Sequence, residues 1–122
     1  MLAVVTTAAQ WRKLALSLPE TEEKSHFGQP DFRVKNKIFA GLSPDGKRGT
    51  LKLGLEAQAL VLEGKPEAFA PAAGAWGRKG WTHVVLARVK PTDLQELVVE
   101  AWRLTAPKRL VIAYDAGQKR RR

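Results

Sequence analysis

Asp31-Phe32-Arg33-Val34-Lys35-Asn36-Lys37-Ile38-Phe39-Ala40-Gly41-Leu42 is the stretch that decides the fold. From Asp31 to Lys35 apolar and basic residues alternate, the two-residue period of a strand with one dry face. Asn36-Lys37 supplies a tight turn, because Asn tolerates positive φ, and Ile38 to Leu42 returns as the partner strand. This reading sets Val34 against Phe39 across the pair, on the buried side. Arg33 and Lys35 then point to the opposite, wet face.

Upstream, Lys24 to Phe27 reads as a first strand, broken at Gly28-Gln29-Pro30. Before it, Thr7 and Gln10 have the spacing of a capping box. Trp11, Leu14, Ala15 and Leu18 follow on one face of a helix that Pro19 ends. Downstream, Ser43-Pro44-Asp45-Gly46 is a turn. Thr50 to Leu55 alternates again, with Leu51, Leu53 and Leu55 inward and Lys52 outward. Glu56 to Gly64 is a short helix, Lys65 to Gly80 a loop, and Trp81 to Val89 a long β-branched strand. Pro91-Thr92 opens a last helix, capped by Thr92 and Gln95. Its inner stripe is Leu94, Leu97, Val98, Ala101 and Thr105, with Trp102 at the border, and Pro107 stops it. Leu110 to Tyr114 reads either as an added edge strand or as a docked tail, and Gln118 to Arg122 as disordered. Helices segregated from a hairpin-linked antiparallel sheet make an α+β two-layer sandwich, with the helices on one face. We expect a single domain over residues 1–107, followed by a basic, partly disordered C-terminal tail over 108–122.

Composition agrees. A chain of 122 residues with 44% hydrophobic content buries one core, and the absence of cysteine excludes disulfides and thiolate metal sites. No apolar run is long enough to cross a bilayer, and Met1 to Val5 lacks the basic start and long apolar stretch of a secretory signal. These features predict a cytoplasmic chain with no membrane partner. The formal net charge is +9, and over half of the excess sits in the tail, where Lys108, Arg109, Lys119, Arg120, Arg121 and Arg122 face Asp115 alone. Such a chain attracts polyanions, DNA among them, by long-range electrostatics.

The catalytic motifs fail one by one. Gly41 to Lys47 matches the start of a phosphate-binding loop. Arg48 then stands where a Mg²⁺-binding hydroxyl is needed, Pro44 removes a backbone donor, and a strand follows instead of a helix. His26 and His83 lack the spacing of metal ligands and read as hydrogen-bonded or solvated strand residues. Ser17, Ser25 and Ser43 lie outside any nucleophile elbow, and the adjacent Glu22 and Glu23 point apart on an extended chain. The sequence therefore predicts no catalytic residue, cofactor or metal. An enzyme or small-ligand domain would need a deep polar pocket around His26 or His83.

Binding signals are stronger. In Trp76-Gly77-Arg78-Lys79-Gly80-Trp81 two indoles flank two cations, the combination with which single-stranded nucleic acid is held. Trp81, opening an apolar strand, also reads as core; Trp76 is divided between core and surface. Arg33, Lys35 and Lys52, with Lys37, Lys47 and Arg48 at the turns, form a basic outer sheet face and its rims, a feature that strands also show simply because charge belongs on their wet side. Arg120 and Arg121 belong to a phosphate-contacting arm or to a solubilising tail.

His26-Phe27-Gly28, then Asp31 to Ala40, then Trp81-Thr82-His83-Val84 before a closing amphipathic helix, resemble the MmcQ/YjbR family over roughly residues 7–106. The resemblance implies a compact α-β-β-β-α-β-β-α domain and DNA binding through hairpins arranged as wings. It brings no catalytic residues with it. Phe27, Gly28, Phe32, Val34, Phe39 and Trp81, which match its signature, read by periodicity as core and turn. The expected function is a non-enzymatic nucleic-acid-binding domain using Arg33, Lys35, Lys52, Trp76, Arg78, Lys79, Arg120 and Arg121. The alternative is a protein-interaction or chaperone-like adaptor module without a nucleic-acid role.

Overall fold

The structure, a computed structural model, describes residues 5–120. Helix α1 (Ala8–Leu16) starts at the expected capping box: the Thr7 hydroxyl accepts from Gln10 N–H at 3.2 Å, and Gln10 Oε1 accepts from Thr7 N–H at 2.9 Å. Four strands follow, β1 (Thr21–His26), β2 (Gln29–Val34), β3 (Lys37–Leu42) and β4 (Arg48–Lys52). The chain continues through α2 (Gly54–Gly64), β5 (Phe69–Pro71), α3 (Gly74–Arg78), β6 (Trp81–Val85) and a 3₁₀ turn at Leu86–Arg88. It closes with α4 (Pro91–Thr105) and α5 (Lys108–Arg120). The strands make one antiparallel sheet in the order β1-β2-β3-β4-β6-β5.

One face of this sheet holds the core. Phe32, Val34, Phe39, Leu51 and Val84 are fully buried together with Trp11 of α1 and Leu94, Val98 and Trp102 of α4. Contact is so close that a Cβ on Gly49 would lie 2.4 Å from the Trp11 ring, so only glycine lets α1 seat on β4. No helix among the described residues is long and apolar enough to cross a membrane. The architecture is α+β, with helices packed against an antiparallel sheet.

Several expectations are corrected. The β2–β3 turn is Lys35-Asn36, one residue early, with both residues at positive φ (48° and 64°). That hand matches the twist of paired strands. Val34 therefore pairs with Lys37, not Phe39; a bulge between Phe32 and Arg33 takes up Phe39 and leaves Phe39 and Ala40 both buried. Leu55 is exposed in the first turn of α2, because the strand has already ended at Lys52. Helix α4 has no side-chain cap from Thr92; it begins at Pro91, whose fixed φ suits a first helical position. Trp102 is fully buried, its indole N–H donating to the Pro19 carbonyl at 3.1 Å.

The region 65–80 is not merely loop. It contains β5 and α3, tied down by the buried Gln58 amide, which donates to Gly77 O, Trp81 O and Thr82 Oγ1 at 3.0–3.2 Å. Strand β6 stops at Val85, where the chain turns into the 3₁₀ segment. One strand and two helices are thus added relative to the α-β-β-β-α-β-β-α order. Leu110 to Tyr114 is no edge strand: it docks, as the other alternative has it, but as part of a helix that also takes in Gln118 to Arg120, expected to be disordered. Leu110 is buried, Tyr114 packs on Trp102 with ring centroids 5.3 Å apart, and Arg103 pairs with Asp115. Arg121 and Arg122 lie outside the described residues, as do Met1 to Val4.

Candidate nucleic-acid interface

The second face of the sheet is left open by α1 and α4, and its side chains line a groove of about 640 Å³. Alternation along the strands decides what it displays. Since Phe32, Val34, Leu51 and Val84 point to the helices, Asp31, Arg33, Thr50, Lys52, Trp81 and His83 point into the groove. Ile38, Pro30 and Gly41 give it an apolar floor, and α3 contributes Trp76 at one side. Two-residue turns end the β1–β2 hairpin at Phe27-Gly28 and the β2–β3 hairpin at Lys35-Asn36.

Asp31 anchors one end. Its carboxylate is fully buried, accepts two hydrogen bonds from Arg33 (Nε at 2.7 Å, Nη2 at 3.1 Å), and accepts a third from His26 Nδ1 at 2.7 Å. The Arg33 guanidinium, helped by His26, holds the Asp31 carboxyl below its ordinary range against the opposing effect of burial. Such a buried charge is tolerable only because it is paired and hydrogen-bonded. At the other end, His83 Nδ1 shares a 2.9 Å hydrogen bond with Thr50 Oγ1. Burial, then the nearby Arg48, pushes the His83 imidazole below its usual pKa.

Trp81 and Trp76 meet edge to face, with centroids 5.7 Å apart and planes at 81°. Trp76 is 63% exposed, and Trp81 is half-buried on the open face; it does not belong to the core, as its apolar strand led us to expect. The second correction is Phe27. It is not core but a hairpin tip, 99% exposed at φ 49°, its ring 6.3 Å from that of His26.

The fold gathers Arg33, Lys52 and Trp76 into the groove, together with Lys37 of the expected basic rim. Arg33, however, spends its charge on Asp31. Lys35 stands outside the groove, paired with Glu20. Arg78 and Lys79 are exposed at the end of α3 without lining it, and Arg120 is exposed at the end of α5. Lys37 and Lys52 form no ion pair among the described residues. Spacing along the chain does not announce the Asp31–His26 contact, since the two residues lie on different strands. Hairpin pairing, which brings residues 26 and 31 together around a two-residue turn, was the available signal.

Comparison with known proteins bears on the fold. No curated protein matches the chain. Among solved structures, it is similar to that of Deinococcus radiodurans protein DR2400, which carries a DUF419 domain, with a TM-score of 0.72 and 24% sequence identity. The similarity covers 85% of this chain and 81% of that one. The family model for YjbR matches residues 16–104, from the end of α1 to the last turn of α4, leaving α5 outside. The open face, the core face and both hairpins fall within that span, and the chain belongs to the YjbR family.

Proposed function

We propose that this chain is a nucleic-acid-binding domain whose open sheet face takes an unpaired strand. One observation carries the reading: the Trp76–Trp81 pair shares a groove with Lys37 and Lys52, two lysines that form no ion pair among the described residues. Bases have apolar faces that stack on indoles, and phosphates need cations not already spent on carboxylates. Phe27, exposed beside the lining residue His26, offers a further aromatic surface. A non-glycine, bulky residue at positive φ is strained, and such strain persists where a function holds it. Arg33, by contrast, positions Asp31 and His26 more than it offers charge.

Titration of a single-stranded oligonucleotide under increasing salt tests this. Binding should quench tryptophan fluorescence and weaken with a log–log salt slope of about −1 to −2, for two phosphates neutralised on a single strand. Charge reversal of both lysines, Lys37→Glu with Lys52→Glu, should abolish it. Unchanged binding in that double variant would refute the assignment.

A second reading, a protein-docking module, draws on another surface. Leu55, Leu60 and Leu104 are all more than half exposed and line a shallow depression with Glu56 and Glu100 between α2 and α4. A partner retained from nuclease-treated lysate and lost on Leu60→Asp would favour it.

A further inference from the structure

Helix α4 presents different surfaces on opposite sides. Trp102 and Leu104 stand two residues apart, so their side chains leave the helix roughly 200° apart. On the Trp102 side lies α5, held by buried Leu110, by Tyr114 against Trp102 and by the Arg103–Asp115 pair. On the Leu104 side lies the depression shared with α2, about 430 Å³ in volume. A Cβ on Gly54, at the start of α2, would meet Leu104 at 3.3 Å, and Lys65, just past its end, pairs with Asp93 in the first turn of α4. The two helices therefore flank the depression antiparallel. Its centre is apolar, with Leu55, Leu60 and Leu104, and its rim is acidic. Glu56 and Glu100 line it, and helical spacing puts Glu63 and Glu96 on the same two helix faces. These four carboxylates form no ion pair among the described residues, in a chain of net charge +9. Such a surface calls for a basic, partly apolar partner.

The outward side of α5 has that chemistry. Leu110, Val111 and Tyr114 turn toward the core. The same periodicity turns Ile112 and Ala113 outward, both exposed, with Lys108 and Arg109 one turn before them and Lys119 and Arg120 two turns after. Lys108, Lys119 and Arg120 form no ion pair among the described residues. The lengths agree as well: α5 has 13 residues and α2 has 11. At 1.5 Å per residue these are about 20 and about 16 Å.

We infer that the α2–α4 depression receives α5 of a second copy of this chain, joining copies head to tail. The inference rests on the protein-docking reading above and names its partner; it is independent of nucleic-acid binding at the open sheet face. Ile112 and Ala113 cover the exposed leucines, and the cations that flank them meet the carboxylates of the rim, the mode of an amphipathic helix laid in a groove. A chain cannot fill its own depression, because Leu110 and Tyr114 fix α5 on the far side of α4. Since the two joined surfaces differ, the contact is heterologous and repeats from copy to copy, as a ring or an open chain. A single helix in a groove buries less than the about 1,200 Å² of a small standard interface, so association should be weak. It should develop between about 10 μM and 1 mM.

Sedimentation equilibrium of the full chain, freed of nucleic acid by nuclease, tests this. The expected result is a weight-average mass that rises with concentration and passes that of a dimer. Leu60→Asp and Ile112→Asp should each leave a monomer at the same concentrations, since each destroys one half of the contact. Mixed one to one, the two variants retain one intact depression and one intact helix between them, so a dimer should form and nothing larger. Both residues are exposed, and melting curves matching the wild type show that the variants fold. Leu60→Gln and Ile112→Gln, which substitute a good helix former, replace either one that does not. Oligonucleotide binding should be the same in both variants as in the wild type, which separates this test from that of the open face. A wild-type chain that stays monomeric throughout overturns the inference, as does self-association that survives Ile112→Asp or a mixture that stays monomeric. If the monomeric chain still retains a lysate partner through Leu60, the docking reading stands with another occupant; if it retains none, both fall.

Discussion

The two faces of the sheet are built from alternate residues of the same strands, yet different physics holds them. The helix-covered face is apolar and closed: Phe32, Phe39 and Leu51 have no solvent exposure, and the indoles of Trp11 and Trp102 complete the packing. The open face instead keeps a buried carboxylate, two imidazoles, lysines that form no ion pair among the described residues, and exposed aromatics. Stability alone would not put Trp76 in water or Phe27 in a left-handed turn. The contrast teaches that the first face is fixed by burial, whereas the second departs from local rules where a ligand would compensate.

The largest test of this contrast falls on the closed face. Trp102→Ala removes a fully buried indole and its bond to Pro19, and should cost about 3–5 kcal/mol by denaturant unfolding. A cost below about 1 kcal/mol would mean that the core does not sit there.

Asp31 is the one open-face residue expected to matter as much. Asp31→Ala strands Arg33 and should cost about 3 kcal/mol. The pH dependence has a defined sign. Because the folded-state pKa lies below the ordinary value of 3.8, the ionised form is favoured by folding. This contribution is therefore complete above the unfolded value and is lost as pH falls through the lower, folded one. Wild type should lose stability in that acid window, and Asp31→Ala should lose less there. Parallel acid profiles for the two would break the assignment of the shift to Asp31.

Trp76→Ala reverses the pattern. Its stability should change by no more than about 0.5 kcal/mol, since the side chain is mostly exposed. Affinity for single-stranded nucleic acid should fall by about 1–3 kcal/mol. The smallest effect is also the most discriminating. Phe27→Asn relieves a left-handed bulky residue and should raise stability by up to about 1 kcal/mol while weakening binding. A variant that loses stability would show that Phe27 serves the fold.

What the sequence disclosed follows the same division. Alternation from Asp31 to Leu42, the helical stripes of α1 and α4 and the Thr7 cap were legible because burial leaves a period. Trp81 was misplaced because an apolar strand opening looks alike whether its first residue turns inward or outward. One bulge or one residue of turn length decides the matter. Leu110 to Tyr114 combines β-branched residues with helical spacing, and the packing of Tyr114 on Trp102 favours the helix. The basic face was legible as a tendency only. Arg33 and Lys35 differ from Lys37 and Lys52 in having carboxylate partners, Asp31 two residues away on the same strand and Glu20 brought up from before β1.

Amide chemical-shift mapping of the ¹⁵N-labelled chain, titrated with a single-stranded oligonucleotide at low salt, most directly tests which face is functional. Shifts should concentrate at residues 26–31, 37–41, 50–52, 76 and 81–83, with the α1–α4 face unmoved. Shifts confined to Lys119 and Arg120 of α5, or to Arg78 and Lys79, would contradict the assignment of nucleic-acid binding to the open sheet face.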